Sequence, residues 1–426
     1  MQLDRSSASK EGKNQFVVAY LAPEIPALSA TFVYEEILGL ERLGVHVVPF
    51  SVHAPISLAL GQEELASRVS VLYDQFAIRL LLKGLFLLPL FQSKSWFALR
   101  CLLSDMWECG PQRRTSWKLA YQFLTGVRLA SALKEKGCTH LHIHFAHVPT
   151  QIGMYASLLS GIPFTVMAHA NDIFERGLLL KCKAARAQRF LTISEYNVRF
   201  LRTQGIPENQ LAVVRCGVSL AANASPKHQG LTSTVIRVGS LGRLVEKKGF
   251  DILIRAVAIL KQRGCAIELR IAGDGPLRTE LVRLAHSLDV EEAVIFEGSL
   301  THSKVSAWMK NLDIFALACK QDQAGDMDGI PVVLMEAMSQ AIAVVSTRIS
   351  GIPELVIHEE TGMLAHPNDA EDFADQIERL VQARTLVAAV TAKAFAHVKG
   401  EFSQDVNLKR LIAYFEASNK KLALEK

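Results

Sequence analysis

Arg243 and Lys248 stand in the glycine-bounded run Gly242-Arg243-Leu244-Val245-Glu246-Lys247-Lys248-Gly249, after an apolar strand and before a helix predicted over 250–263. A diphosphate is stabilised by fixed positive charge together with backbone N–H groups at a helix start. This loop offers a guanidinium, an ammonium and glycines that permit close approach. The plain alternative is a solvated basic turn, since basic helix entries are common. A second segment, Asp328 to Met338, reads DGIPVVLMEAM. Pro331 suits the first turn of a helix, leaving the amides beside Gly329 and Ile330 to face an anion. Glu336 then falls more than a turn into an otherwise apolar helix, where an unpaired carboxylate is costly. Sugar hydroxyls would satisfy it; a salt bridge to a neighbouring helix is the other reading.

Such loops need strands before them and helices behind. Short apolar runs alternate with helix-period segments along the whole chain, the pattern of parallel sheets with crossover helices. The first half predicts strands over 16–21, 45–51, 141–145, 164–167, 189–193 and 211–214. It also predicts a helix over 31–43, with Phe32, Ile37, Leu40 and Leu43 on one face and Gly44 as a stop. A polar stretch over 221–233, rich in Pro, Ser, Asn and Gly, marks a linker. Strands then recur over 235–240, 267–272, 294–297, 314–318 and 343–346, and a last helix follows Phe402 to about Ser418. The glycine-bearing turns at 242–249, 273–276 and 329–331 lie at strand C-terminal ends, where open α/β sheets bind ligands. A nucleotide therefore belongs to the second half.

Length and composition agree with this reading. A chain of 426 residues, half of them hydrophobic, exceeds one ordinary core and predicts two globular domains. The net charge of +5, from 47 basic against 42 acidic residues, suits anionic ligands or an anionic membrane surface without calling for nucleic acid. Seven scattered cysteines, with no C-x-x-C pair, indicate neither a disulfide framework nor a zinc site and fit a reducing compartment. The first fifteen residues lack the apolar core of a secretory signal, so a cytoplasmic chain is expected. The run Phe76 to Phe91 is apolar but broken by Arg79, Lys83 and Pro89, too short to span a bilayer. It reads either as a segment lying on the inner membrane or as a buried helix hairpin.

The sequence resembles the retaining glycosyltransferases of family four (glycosyl transferases group 1), in their exopolysaccharide and colanic-acid branch. The likeness rests on the 242–249 loop, on the acid-x7-acid pair Asp328 and Glu336, and on Ser346 to Val356 (STRISGIPELV). In the first half it rests on Pro26 to Val33, His142 to Ala146 and Ala168 to Phe174, so that similar pieces run from about Phe16 to Phe415. The resemblance implies an α/β chain of the GT-B fold, two Rossmann-like domains facing across a cleft. Residues 15–220 would form the acceptor side, 233–400 the nucleotide-sugar side, and 401–420 a helix packing back on the first domain. Arg243 and Lys248 would neutralise the donor diphosphate, and Glu336 would hold the ribose hydroxyls. Gly329, Ile330, Pro331 and the turn with Gly298 and Leu300 would complete the donor site. Asp328 stands where the family has a glutamate that contacts the transferred sugar, and its shorter reach would reposition that sugar. His169 corresponds to the family histidine near the anomeric centre, and Ser29, Thr31, His144 and Asp172 fall on the acceptor side. Alanines at 341 and 343, where the family has Gly and Pro, are expected to alter a helix-to-strand turn but not the chemistry. No cofactor beyond a UDP- or GDP-sugar donor is implied. The acceptor would be a saccharide or lipid-linked saccharide.

Other features carry less. Asp326-Met327-Asp328 spells a metal-binding D-x-D but sits beside the Glu336 helix, so no metal is expected there. His140, His142 and His144 share one face of a strand; with no acidic or Cys partner near in sequence, they read as a strand end at the cleft. Gly273-Asp274-Gly275-Pro276 lacks the third glycine of a dinucleotide fingerprint, having Arg278 there. A nicotinamide oxidoreductase is thus a minor rival. A catalytically inactive sugar-nucleotide-binding or assembly protein, motivated by Asp328 and the two alanines, ranks above it.

Overall fold

A computed structural model describes residues 17–27, 31–58, 61–73, 77–175, 177–220 and 235–424. The expected linker and Ser29 lie outside them. The strands are β1 (Val17–Glu24), β2 (His46–His53), β3 (Ser70–Val71), β4 (His140–His144), β5 (Phe164–Ala168), β6 (Arg189–Thr192) and β7 (Leu211–Val213), then β8 (Ile236–Leu241), β9 (Ile267–Ala272), β10 (Val294–Gly298), β11 (Ile314–Ala316), β12 (Ala343–Thr347) and β13 (Met363–Ala365). They form two sheets, ordered β3-β2-β1-β4-β5-β6-β7 and β10-β9-β8-β11-β12-β13. The pairs β1–β2, β1–β4, β2–β3 and β6–β7 of the first sheet and all neighbouring pairs of the second are parallel, with registers such as Ala19 opposite Val48 and Val238 opposite Leu269. Both orders reverse direction beside their first strand, the Rossmann arrangement, with switch points at β1/β4 and β8/β11.

Two strands escape the sequence pattern. β3 and β13 are two and three residues long, too short to show a period. β4 ends one residue earlier than expected, because Phe145 takes a left-handed φ of 72° that no strand continues.

By packing, the chain divides into two compact units, one of residues up to His144, Val148–Thr165 and from Ile412 on, the other of Phe145–His147 and Val166–Leu411. In the second, period-two alternation covers both faces of the sheet. Ile314 and Ala316 of β11, with Ala343 and Val345 of β12, join a core with Leu253, Leu269 and Phe373. Phe315 and Val344 point oppositely, into a core with Leu334, Met338 and Phe402. That double burial is why these strands read as unbroken apolar runs. In the first unit, the helix Arg114–Glu135 buries Leu119, Phe123, Val127 and Ala130 at helical spacing. The last helix, Gln404–Leu424, runs beyond the expected end. Its Phe415 sets its ring centroid 4.9 Å from His140 and 5.3 Å from His142.

The helix Val332–Ser339 turns into β12 through Ala341, whose φ is 58°. A left-handed residue with a Cβ costs ~1–2 kcal/mol, whereas glycine's extra freedom when unfolded costs ~0.5–1 kcal/mol. Ala341→Gly is therefore expected to stabilise the chain by up to about 1 kcal/mol, read as a higher urea midpoint. An unchanged or lower midpoint contradicts the strain.

Candidate active site

The second sheet's switch point lies between β8 and β11, and the loops leaving those two strands are the two chemical segments of the sequence. The loop after β8 makes one 3₁₀ turn, Glu246–Lys248, and enters the helix Phe250–Gln262 through Gly249. Gly249 has φ 67°, and a Cβ there would stand 1.8 Å from the Ala318 carbonyl oxygen, so the loop seats against β11's exit only without a side chain. Gly273 plays the same part after β9: at φ 130°, its Cβ would meet the Gly242 carbonyl oxygen at 1.9 Å. The Lys248 chain runs back over Gly242, with Cε 3.4 Å from where a Cβ would be.

Charge ties the loops together. Lys248 Nζ lies 2.7 Å from Asp328 Oδ2, their side chains only 16% and 13% exposed. Lys247 Nζ lies 2.7 Å from Asp326 Oδ2 and 3.6 Å from Asp328 Oδ1. Burial alone would raise the Asp328 carboxyl, but Lys248 and Lys247 hold it below the ordinary carboxylate value. Burial would likewise lower Lys248, and Asp328 keeps it raised and charged. The Cys319 thiol, 3.5 Å from Asp328 Oδ2, is pushed well up by burial and by that carboxylate. Sequence reading passed over Lys247 and treated Asp326 only as part of a metal motif; their pairing depends on two loops 79 residues apart in sequence.

Arg243 is exposed and makes no ion pair among the described residues. Pro331 is buried and caps the helix Val332–Ser339 from outside, not within its first turn as expected. Gly329 packs on the exit of β6, since a Cβ there would stand 2.7 Å from Ile193 Cδ1 and 3.6 Å from Ala170 Cβ. Ile330 is buried and lies beside Gly351. Glu336 is half-buried on the helix that starts one residue after Pro331. Gly298, at φ 74°, ends β10 on a bulge and accepts from the Gly273 amide at 2.7 Å. Leu300 is half-buried against the second core.

His169 caps the short helix Ala170–Phe174 at the exit of β5, 8% exposed, its ring centroid 4.8 Å from Phe145. Asp172 is fully buried and accepts from the amides of His169, at 2.8 Å, and Ala146. Burial raises its carboxyl to about 7, against those amides and Lys183, which lower it. Its carboxylate thereby holds the Ala146 and His169 backbone in place. Buried Lys183 supports the same corner, donating to the Ala146 and Leu178 carbonyls at 2.5 Å each. Glu354 also went unassigned in the sequence. It accepts from the amides of Glu195 and Tyr196, where the helix Glu195–Thr203 begins, and pairs with Arg215 at 2.7 Å.

Thr31 opens the helix Thr31–Arg42 and is exposed. His144 is fully buried, its Nε2 2.9 Å from Glu36 Oε1, so it lines no open surface. Tyr20 donates to the same oxygen at 2.7 Å, and the Thr165 hydroxyl bonds His142 Nδ1 at 2.7 Å. The sequence offered these histidines no acidic partner; folding brings Glu36 from a distant helix, and Glu36, His142 and His144 are the described trio whose ligand atoms could surround a cation.

His140 is fully buried beside Thr165 and Phe415, with Nδ1 unbonded among the described residues, and burial drives it down to about 3. The unfolded chain takes up a proton near pH 6.5 that the folded one refuses until about 3, so this group's stabilisation is complete above 6.5 and falls as pH drops. Between pH 7 and 5 the loss is about 2 kcal/mol. Denaturation of His140→Gln should be correspondingly less acid-sensitive; equal sensitivity in both proteins removes His140 as the source.

Two Rossmann sheets, the second carrying a lysine–aspartate cluster at its switch point, define a protein of the GT-B fold. The crystal structure of Anabaena HepE in complex with UDP and glucose superposes with a TM-score of 0.67 over 94% of this chain and all of that one, at 17% identity. The chain belongs to glycosyltransferase family 4. The profile described as Glycosyltransferase Family 4 matches residues 109–222, and that described as Glycosyl transferases group 1 matches 223–397. The putative colanic acid biosynthesis glycosyltransferase WcaL of Escherichia coli is 36% identical over 273 residues, 62% of this chain and 64% of WcaL. The amylovoran biosynthesis glycosyltransferase AmsK of Erwinia amylovora is 33% identical over 282 residues, 64% of this chain and 69% of AmsK. The match therefore spans just under two thirds of WcaL and slightly more of AmsK.

Proposed function

We propose that this chain transfers a sugar from a UDP- or GDP-sugar to a saccharide acceptor, borne on lipid, in the assembly of a cell-surface polysaccharide. The observation that carries the reading is the convergence of two separate loops at the β8/β11 switch point, fastened by Lys248 and Asp328. Ligands of open α/β sheets bind at such a point. The polysaccharide context comes from the likeness to WcaL and AmsK, glycosyltransferases of colanic acid and amylovoran biosynthesis.

In this reading, Arg243 and Lys248 bind the diphosphate and stabilise the charge that grows there as the bond from anomeric carbon to phosphate oxygen breaks. The amides beside Gly329 and Ile330 add donors, with the Gly298 and Leu300 turn beside the base, and Glu336 receives the ribose hydroxyls. Asp328, already committed to two lysines, orients the sugar and is ill placed to act as a nucleophile. This favours retention by same-face attack, with the acceptor hydroxyl's proton passing to the departing phosphate oxygen. His169 stabilises the sugar as positive charge develops. Side-chain cations, in place of a metal ion, neutralise the leaving group.

A thermal-shift screen of UDP, GDP and their sugars tests the donor, since a ligand at a hundred times its Kd stabilises the native state by about 2.7 kcal/mol. One nucleotide series should raise Tm, and turnover with its sugar should survive EDTA. No shift with any of them refutes the donor assignment; activity lost to EDTA and restored by magnesium refutes metal independence.

A further inference from the structure

The helix Ser93–Cys109 has an inner stripe of Ser95, Ala98, Leu102, Asp105 and Cys109, all buried, and packs on the helices Arg114–Glu135 and Val148–Ser160. Its outer stripe is not the polar face that amphipathic spacing normally leaves to water. Trp96, Arg100, Leu103 and Trp107 recur at i, i+4, i+7 and i+11, with Trp96 76% and Trp107 77% exposed. At the following corner, Arg113, Arg114, Trp117 and Lys118 are exposed, Trp117 by 68%. Three of the chain's four tryptophans thus stand in solvent within 22 residues. An exposed apolar patch of this size marks an interaction surface.

Charge selects the partner. From 93 to 118 the exposed charges are Lys94, Arg100, Arg113, Arg114 and Lys118 against Glu108 alone, because Asp105 is buried and accepts from Tyr155. A second copy docking here about a two-fold axis would set cations against cations. Tryptophan, arginine and lysine on one face suit the boundary of an anionic bilayer, where indoles sit at headgroup depth and basic side chains meet lipid phosphates. No described helix is long and apolar enough to cross a membrane.

We infer that the outer face of Ser93–Cys109, with the Arg113–Lys118 corner, docks this protein on an anionic lipid surface. This extends the membrane-facing surface expected of the 76–91 run, whose helix Ala77–Leu87 and 3₁₀ turn Leu88–Phe91 expose Leu82, Leu85, Phe86 and Leu90, to the helix that follows. The inference deepens the reading that the acceptor is lipid-borne. Its test uses neither donor nor acceptor, so either can fail alone.

The full chain is sedimented with phosphatidylcholine vesicles containing about 30% phosphatidylglycerol and with vesicles of phosphatidylcholine only, at low salt and at about 1 M, where charges are screened within ~3 Å. Binding with a blue-shifted tryptophan emission is expected on the anionic vesicles, weakened by salt. The pairs Trp96→Ser/Trp107→Ser and Arg113→Glu/Arg114→Glu should each bind at least about tenfold more weakly, with unchanged Tm because the replaced side chains are exposed. Absence of binding, binding as tight as the parent's by either variant, or a soluble dimer that the tryptophan pair dissolves while vesicles capture nothing, each overturns the inference.

Discussion

Arg243→Ala should lower kcat about 10²–10³-fold, the effect of deleting one preorganised partner of transition-state charge. Tm should not move. Arg243 is exposed and makes no ion pair among the described residues, and replacing such a surface side chain changes stability by no more than about 0.5 kcal/mol. The loop backbone is held without it, through Leu244 N to the Asp274 carbonyl and Gly242 N to the Ala272 carbonyl, both at 3.0 Å. A loss of activity here is therefore a loss of chemistry. A turnover within about threefold of the parent, with the fold intact, removes the phosphate role from this residue.

Lys248→Ala should behave differently, costing activity and stability together. It strips Asp328 of its 2.7 Å partner and leaves a nearly buried carboxylate with one described cation, Lys247 at 3.6 Å, and the weakly donating Cys319 thiol. Breaking one side of a buried pair costs about 3–5 kcal/mol, and Lys247 recovers part of that, so a loss of about 3 kcal/mol is expected. Adding Asp328→Asn removes the stranded charge and should restore most of the stability with none of the turnover. The double variant thereby separates the pair's part in the fold from its part in turnover. Recovery of turnover along with stability would mean that the lysine serves only the fold. Acidification probes the same pair in the parent: Asp328 is held below its ordinary 3.8, so the stabilisation is present above pH 3.8 and is lost as pH falls through the depressed value.

The expected and observed geometries part company where partners lie far apart in the chain. β9 is read in full because buried Ile267, Leu269 and Ile271 alternate with half-buried Glu268 and Arg270, the period of a strand with one covered face. The start of the helix at Thr31 is equally plain. The burial of Asp172 is not legible in the sequence, where a buried carboxylate and an exposed one look alike, and only Ala146 and Lys183, folded over it, decide between them. The histidines of β4 looked partnerless for the same reason, Glu36 lying 108 residues before His144.

The chain's own pattern determined the sheets, their parallel sense and the two loops rich in charge and glycine, since burial period and backbone freedom are local properties written residue by residue. Tertiary structure alone decided that Lys248 faces Asp328, that Asp172 is walled off and that three tryptophans point outward. Coulomb pairing and desolvation act through space, between atoms whose separation along the chain carries no record of their distance.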